Sequence, residues 1–250
     1  MNFDVTFFAL AIPAVLFAGI SKGGFGSGAA FAATPFLALI LEPAQAVGMM
    51  LPLLMIMDLS ALKTYWRQPD WPTANAMILG SVPGILLGTA LYNYANPDFF
   101  RLLIGGVAVG FVIYQYSRSH GWIRPAKKPL SWSAGVFAGG VAGFTSFVSH
   151  AGGPPAAIYM LSKNLSKTMY QATGVVTFWA INLLKFVPYA VLGIFSKETL
   201  TADLYLAPFA FLGVALGVQA HKYIPERVFF GLTHAFLLIT GSKLIWSALT

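Results

Sequence analysis

Long apolar runs follow one another along almost the whole chain, and they constrain its fold more than any other feature. A helix that spans a bilayer needs roughly 20 apolar residues. Only 9% of the 250 residues are charged, against about 25% in a soluble domain, so this much apolar surface does not fit a soluble exterior. We therefore predict an all-α polytopic membrane protein with about eight to ten helical segments. The apolar runs occupy 3–20, 29–41, 46–66, 74–94, 100–117, 132–148, 154–162, 168–192, 203–220 and 227–247.

The remaining composition excludes several classes of function. The chain has no cysteine, and its four histidines (His120, His150, His221 and His234) are scattered, so no metal site or cofactor is expected. Its net charge of +7 fits basic loops facing anionic lipid better than a nucleic-acid partner. The segment Met1–Asp4 lacks the basic residues of a signal peptide. We therefore expect the first apolar run to be retained as a helix.

Short patterns recur in the same order in the two halves of the chain. Gln45–Gly48 (Gln-Ala-Val-Gly) returns as Gln171–Gly174 (Gln-Ala-Thr-Gly). A Gly-x-x-x-Gly pair followed by Pro and an acidic residue also occurs twice, as Gly84, Gly88, Pro97 and Asp98 and as Gly213, Gly217, Pro225 and Glu226. This order predicts an internal duplication, with residues 1–117 as the first transmembrane repeat, 118–131 as a basic cytoplasmic linker and 132–250 as the second repeat. Each repeat is expected to contain a broken helical hairpin plus three transmembrane helices.

The distribution of basic residues predicts how the repeats are oriented. With the linker in the cytoplasm and five segments in each half, the outside loops hold only Arg101 and Lys197. This agrees with the positive-inside rule, and an odd number of segments per half makes the repeats inverted, as in many secondary transporters. Parallel repeats with ordinary spans remain the alternative. The inside loops then hold Lys63, Arg67, Arg118, Arg124, Lys127, Lys128, Lys163, Lys167, Lys222 and Arg227.

Two breaks rich in glycine and hydroxyl groups interrupt the apolar runs, at 19–28 and 145–155. Irregular backbone at membrane depth persists only where it is buried in protein or lines a wet cavity. Short helices are expected to begin at about Gly28 and Pro154, and two facing helix N-termini would favour an anion. The alternative is that the glycines only permit close packing and that His150 is a satisfied buried residue. The predicted substrate-binding set is Lys22, Gly24, Gly26, Ser27, Gly28, Ser149, His150, Gly152, Gly153 and Lys185.

Asp58 lies past the middle of the run 46–66, and Lys185 lies at a similar depth of the run 168–192. A charge at the bilayer centre is costly, so such residues are usually paired, hydrated or functional. Either Lys185 faces a cavity and binds an anion while Asp58 balances charge or carries a proton, or Lys185 extends to the outer interface and Asp58 caps or pairs near a helix end. We assign proton or charge coupling to Asp58 and His150. Neutral polar residues that could line the path are Gln45, Asn75, Gln171, Thr177 and Asn182.

The remaining glycine pairs are interpreted as helix-packing faces rather than nucleotide-binding motifs. No strand precedes Gly24–Gly28, and no Lys-Ser or Lys-Thr follows it, so neither a dinucleotide fingerprint nor a P-loop is present. The predicted packing faces are Gly80/Gly84/Gly88, Gly106/Gly110, Gly135/Gly139 and Gly213/Gly217.

The first break, its echo at Ala151–Pro154, the Gln-Ala-x-Gly pairs and the Pro-acid pairs resemble the TauE/SafE-like sulfite and organosulfonate exporter family. The resemblance spans nearly the whole chain. The family's glycine cluster is a denser Gly-Ile-Gly-Gly-Gly type, and here it reads Gly24-Phe25-Gly26-Ser27-Gly28 and Ala151-Gly152-Gly153. The resemblance implies a membrane permease for sulfite, sulfonates or related small organic anions.

The expected function is therefore a secondary transporter, without enzymatic activity, that moves a small anion such as sulfite or sulfoacetate across the cytoplasmic membrane. Export is the expected direction, and the expected partners are the anion and the lipid bilayer. Small-residue faces leave a homodimer open. The alternatives are an anion channel, an intramembrane enzyme and an assembly protein without transport.

Overall fold

The computed structural model describes residues 3–25, 29–65, 68–92, 94, 96–123, 128–220, 223 and 226–250, with side chains described for all of these except 63–65 and 226–227. These residues form helices and no strand. A π-helical turn, Ser21–Phe25, continues α1, and a 3-10 turn, Ala30–Ala32, precedes α2. The helices are α1 Val5–Ile20, α2 Ala33–Leu37, α3 Pro43–Tyr65, α4 Trp71–Tyr92, α5 Pro97–Ser119, α6 Trp132–Ser149, α7 Gly153–Ser162, α8 Lys167–Val191, α9 Lys197–Ala220 and α10 Glu226–Leu249.

Seven of the described helices are long and apolar enough to cross a membrane, namely α1 with its π-helical turn, α3, α4, α5, α8, α9 and α10. The prediction of an all-α polytopic membrane protein is therefore confirmed, and the described helices match the ten predicted apolar runs. The repeat boundaries and the inverted orientation of the halves stay predictions. Among the basic residues used to orient the loops, Arg67, Arg124, Lys127 and Lys222 lie outside the described residues.

Several helices begin earlier than the apolar runs because polar residues cap them. Asn96 accepts a hydrogen bond from the Phe99 amide at 2.8 Å, so α5 begins at Pro97. The largest difference is at α9, where Ser196 and Thr199 accept each other's amide hydrogens at 3.2 and 2.9 Å. This reciprocal cap extends α9 to Lys197, six residues before the predicted start.

The two breaks differ in their backbone. The first was predicted to be irregular from Gly19, but the chain stays helical to Phe25 because Ser21–Phe25 forms the π-helical turn. Gly26, Ser27 and Gly28 lie outside the described residues. In the second break α6 ends at Ser149 and α7 begins at Gly153, one residue before the predicted start.

Corresponding helices of the two halves have corresponding neighbours. The α1 helix packs on α9, and its counterpart α6 packs on α4. The α3 helix packs on α8 and α9, while α8 packs on α3 and α4, and α5 packs on α10. This exchange of neighbours is what a duplication predicts.

Glycine allows the closest of these contacts. A Cβ on Gly84 would overlap the Gly140 carbonyl oxygen, and one on Gly217 would overlap the Ile20 carbonyl oxygen, so both positions need glycine. Gly106 and Gly110 do not have the predicted packing role among the described residues, because no described atom lies within 4 Å of a Cβ at either position. The α5 helix meets α10 through Gly105 instead.

Candidate functional site

A buried ion pair connects the first break to α3. The Lys22 ammonium in the π-helical turn pairs with Asp58 Oδ1, and it also donates to the Leu54 carbonyl at 3.4 Å. Asn182 of α8 donates to Asp58 Oδ2 at 2.8 Å. The residues of the pair are only 5% and 2% exposed. Both carboxylate oxygens therefore have a donor, so neither charge is buried without compensation.

A second buried cation lies at the end of α6. Lys185 of α8 is 0% exposed, and its Nζ lies 3.0 Å from the Ser146 carbonyl oxygen, 2.9 Å from Ser146 Oγ and 2.9 Å from His150 Nδ1. Three acceptors satisfy the three hydrogens of an ammonium group. Lys185 therefore does not extend to the interface, and that alternative is wrong. Its amino group instead lies at the C-terminus of α6.

His150 joins the second break to α3. Its Nε2 lies 2.9 Å from the Val47 carbonyl oxygen, which can only accept, so Nε2 carries the hydrogen and Nδ1 accepts from Lys185. His150 also has φ 57°, a left-handed conformation that costs a non-glycine residue about 1–2 kcal/mol. Its two side-chain hydrogen bonds hold the residue in this strained conformation.

One face of α8 connects the two cations. Asn182, which binds Asp58, lies three residues before Lys185, and such residues share a helix face. Ala151 of the second break also lies in one buried cluster with Phe31 and Ala32, which follow the first break. The polar groups of the two halves are connected through α3 and α8.

The repeated Gln-Ala-x-Gly pattern makes contacts between the halves. Gln171 Nε2 donates to the Lys22 carbonyl oxygen at 3.4 Å, and Val47 of the first copy binds His150. Each copy of the pattern therefore contacts the break of the other half.

A cavity of about 310 Å³ reaches Lys22 from the end of the bundle where α3 ends and α8 begins. Gly23 and Gly24 of the first break line it with Lys22, and Val214 and Val218 of α9 form part of its wall. The described lining includes two lysines and no carboxylate. Its other lining residues are Ser60, Ala61, Lys167, Thr168 and Gln171.

At the opposite end of α3, described residues enclose a void of about 10 Å³. A water molecule needs at least about 10–15 Å³. The void is lined by apolar and aromatic groups, including Tyr92, Phe100, Phe147 and Ile194. Among the described residues, the cavity at one end of α3 thus holds about 310 Å³ and the void at the other end holds about 10 Å³.

Comparison with known proteins agrees with this arrangement. Residues 11–244 match the family described as Sulfite exporter TauE/SafE. The chain belongs to this family. TauE/SafE proteins are membrane transporters, so the chain is a multi-pass membrane protein of a transporter family, and the resemblance inferred from its motifs is confirmed. No curated protein and no solved structure matches the chain.

In this TauE/SafE protein the predicted site residues fall into two groups. Lys22 and Gly24 line the cavity, with Asp58 directly behind Lys22. Lys185 and His150 form the second group, which is not part of this cavity's lining. Gly26, Ser27 and Gly28 cannot be placed because they lie outside the described residues.

The other predicted residues of the second break have packing or backbone roles. Ser149 Oγ donates to the Thr145 carbonyl of its own helix at 3.2 Å. A Cβ on Gly152 would lie 2.9 Å from the Ala142 carbonyl oxygen, and Gly153 is the first residue of α7. The predicted helix N-terminus at this break is therefore present, but the described cavity does not reach it.

Asn182 and Ser146 bind the buried charged side chains, although neither is in the predicted substrate-binding set. The sequence indicates Asn182 as a residue that could line the path and Ser146 as a hydroxyl donor of the second break, but it does not predict their partners. Among the other neutral polar residues, Gln171 lines the cavity, Asn75 is exposed, and Thr177 is buried without a hydrogen-bond partner among the described residues.

Proposed function

We propose that the chain is a secondary transporter that exports a small sulfur-containing anion, sulfite or a sulfonate, across the cytoplasmic membrane. The observation that carries this proposal is the cavity of about 310 Å³ that ends at buried Lys22. Its volume is at the lower end of ligand pockets, which hold roughly 300–1,000 Å³, and leaves ample room for a small anion. The two lysines supply positive charge, and Ser60, Thr168 and Gln171 supply neutral donors.

In this proposal the anion binds the Lys22 ammonium from the cavity, while Asp58 remains paired with Lys22 behind it. An oxyanion presents oxygens much as a carboxylate does, so it can accept from the same ammonium group. Asp58 also stays attached to Asn182, and the two breaks remain connected through α8. Asp58 thus balances the charge of Lys22. Gly23 and Gly24 allow the anion to approach the backbone of the π-helical turn closely.

Access from one end favours a carrier over the alternative of an anion channel. The predicted topology puts the end of α3 and the start of α8 in the cytoplasm, so the cavity would be loaded from that side. A channel needs a continuous path, whereas described residues enclose only about 10 Å³ at the other end of α3. Lys185 and His150 serve in this scheme to hold the second break in shape.

The test measures the exchange of radiolabelled sulfite in proteoliposomes that contain the double variant Lys22→Met/Asp58→Asn. Lys22→Met alone leaves a bare carboxylate, and breaking a buried pair costs about 3–5 kcal/mol. The double variant removes both charges at nearly constant volume, so we expect it to stay folded and to lose exchange. The matched control is Lys243→Met, which removes a lysine from the exposed side of α10.

The wild type and the control should both exchange sulfite, and excess unlabelled sulfonate should compete. Exchange by the double variant at the wild-type rate would show that Lys22 does not bind the anion. Absence of saturable sulfite and sulfonate exchange by the wild type would contradict the proposed substrate class.

A further inference from the structure

A second acidic residue lies inside the bundle, and the anion site does not use it. Asp203 of α9 is 6% exposed, and neither of its carboxyl oxygens has a hydrogen-bond partner among the described residues. This sets it apart from Asp58, whose two oxygens bind Lys22 and Asn182. The apolar run 203–220 predicts that Asp203 is the first residue of its helix. The Ser196–Thr199 cap instead places Asp203 inside the second turn of α9.

Among the described residues, the core around Asp203 is apolar. Its neighbours Ala202 and Leu206 lie in a core cluster formed with α1 and α3. The parts of α1 and α3 that precede the π-helical turn and Asp58 have no titratable side chain. These parts are Val5–Ile20 and Pro43–Met57. On α9 itself, Tyr205 is 55% exposed and packs on Phe3 and Phe8.

The acidic groups at the ends of these helices are used elsewhere. Asp4 accepts from the Phe7 amide at 2.8 Å as the N-cap of α1. Glu42 lies 3.0 Å from Arg101, to which Asp98 also binds. On the other helices packed against α9, Lys22 and Asp58 are paired with each other.

We propose that Asp203 is a proton-binding site of the transport cycle. An ionised carboxylate in an apolar core without a donor is strongly disfavoured, and binding a proton removes its charge. Among the buried carboxyl groups of the described residues, Asp203 differs from Asp58, whose two oxygens already bind Lys22 and Asn182, so a proton is the partner that Asp203 lacks.

The position of Asp203 connects it to the transport pathway. Asp203 and Val214 are 11 residues apart and lie on the same buried face of α9, about 16 Å apart along the helix axis. Val214 lines the cavity and touches the first break at Gly23. A movement of α9 against α1 and α3 that reshapes the cavity would therefore also change the burial of Asp203. Protonation and anion binding would then be linked through one helix.

The first test measures the proton directly and does not depend on transport. A protonated carboxylic acid has an infrared carbonyl stretch that a carboxylate lacks. Purified wild type at neutral pH should show this band, and Asp203→Asn should lose it. The double variant Lys22→Met/Asp58→Asn is the matched control and should retain it. A band that is absent from the wild type or persists in Asp203→Asn would overturn the proposal.

The second test rests on the proposed function and measures coupling in proteoliposomes. An imposed pH gradient should change the net sulfite flux of the wild type and of Asp203→Glu, which keeps the carboxyl group. Sulfite itself titrates identically in all three samples. A difference in flux response between these two proteins and Asp203→Asn therefore reports the contribution of the Asp203 carboxyl group. We expect Asp203→Asn to lose the response to the gradient. An unchanged response, or a response of the wild type to a sodium gradient instead, would overturn the coupling role.

The two failures can be told apart. Wild-type exchange with an unaltered proton response in Asp203→Asn would remove the proton role and leave the proposed function standing. Absence of wild-type exchange would remove the proposed function, and the infrared band would still decide whether Asp203 holds a proton.

Discussion

Two side chains of α8 complete the C-terminus of α6. A helix leaves its last carbonyl groups without partners, and here Lys185 binds the Ser146 carbonyl while the Tyr189 hydroxyl donates to the Phe147 carbonyl at 2.5 Å. Lys185 and Tyr189 are one turn apart, so a single face of α8 supplies both donors. The shape of the second break therefore depends on a helix that follows it in sequence.

At the residue scale we predict that Tyr189→Phe destabilises the protein. It keeps the buried ring but leaves the Phe147 carbonyl without its donor, which costs about 1–3 kcal/mol. Chemical unfolding in detergent should show this loss. The matched control is Tyr205→Phe, because Tyr205 is 55% exposed. Equal stability of the two variants would mean that the hydroxyl does not stabilise the break.

The sequence singles out Lys22, Asp58 and Lys185 because charge is so rare in the chain, and all three are buried. It does not predict their partners. Lys22 and Asp58 are 36 residues apart, and their pairing depends on how the π-helical turn packs against α3. His150 binds a backbone carbonyl of α3, and a backbone group produces no side-chain pattern in the sequence.

Between elements, the tightest association joins α4 of the first half to α6 of the second. Cβ atoms on Gly80 and Gly84 would overlap carbonyl oxygens of α6, and those on Gly139 and Gly143 would overlap carbonyl oxygens of α4. Glycines on both helices thus face the backbone of the other. The Gly-x-x-x-Gly pattern predicts such a face, but it also predicted one at Gly106 and Gly110, where no helix approaches. Spacing alone does not reveal which side of a helix has a neighbour.

At this scale we predict that Gly84→Ala separates α4 from α6, because the new methyl group would overlap the backbone at Gly140, which cannot move easily. The free energy of unfolding should fall by about 1–3 kcal/mol. Gly110→Ala is the matched control, because its new methyl group meets no described atom within 4 Å. Unfolding of both variants in the same detergent is the measurement. If alanine is tolerated equally at the two positions, the close approach of the helices does not limit stability.

On the scale of the whole molecule, the cavity and the small void lie at opposite ends of α3. The cavity includes the end of α3 and the start of α8, and the void includes the start of α3 and Ile194, just beyond the end of α8. The two regions are thus built from corresponding parts of the halves. Alternate opening of these regions is the movement that the proposed transport requires.

This arrangement predicts opposite labelling of two single-cysteine variants, which are simple to make because the chain has no cysteine. Ser60→Cys in the cavity should react with a membrane-impermeant maleimide from one side of oriented vesicles. Val148→Cys at the void should be protected, and should become reactive from the other side during sulfite exchange. Labelling of both from the same side would exclude alternate opening of the two ends.

The buried hydrogen bonds also bear on how such a chain enters the bilayer. Lys22 pairs with the Asp58 carboxylate within the first half, and Lys185 donates to Ser146 and His150 within the second. The described side-chain contacts from Asn182 and Gln171 to the first half, by contrast, are made by neutral amides. Each half therefore brings its own compensation for buried charge. During synthesis, the first half can be released into lipid before the second exists, without exposing an unpaired lysine to the hydrocarbon.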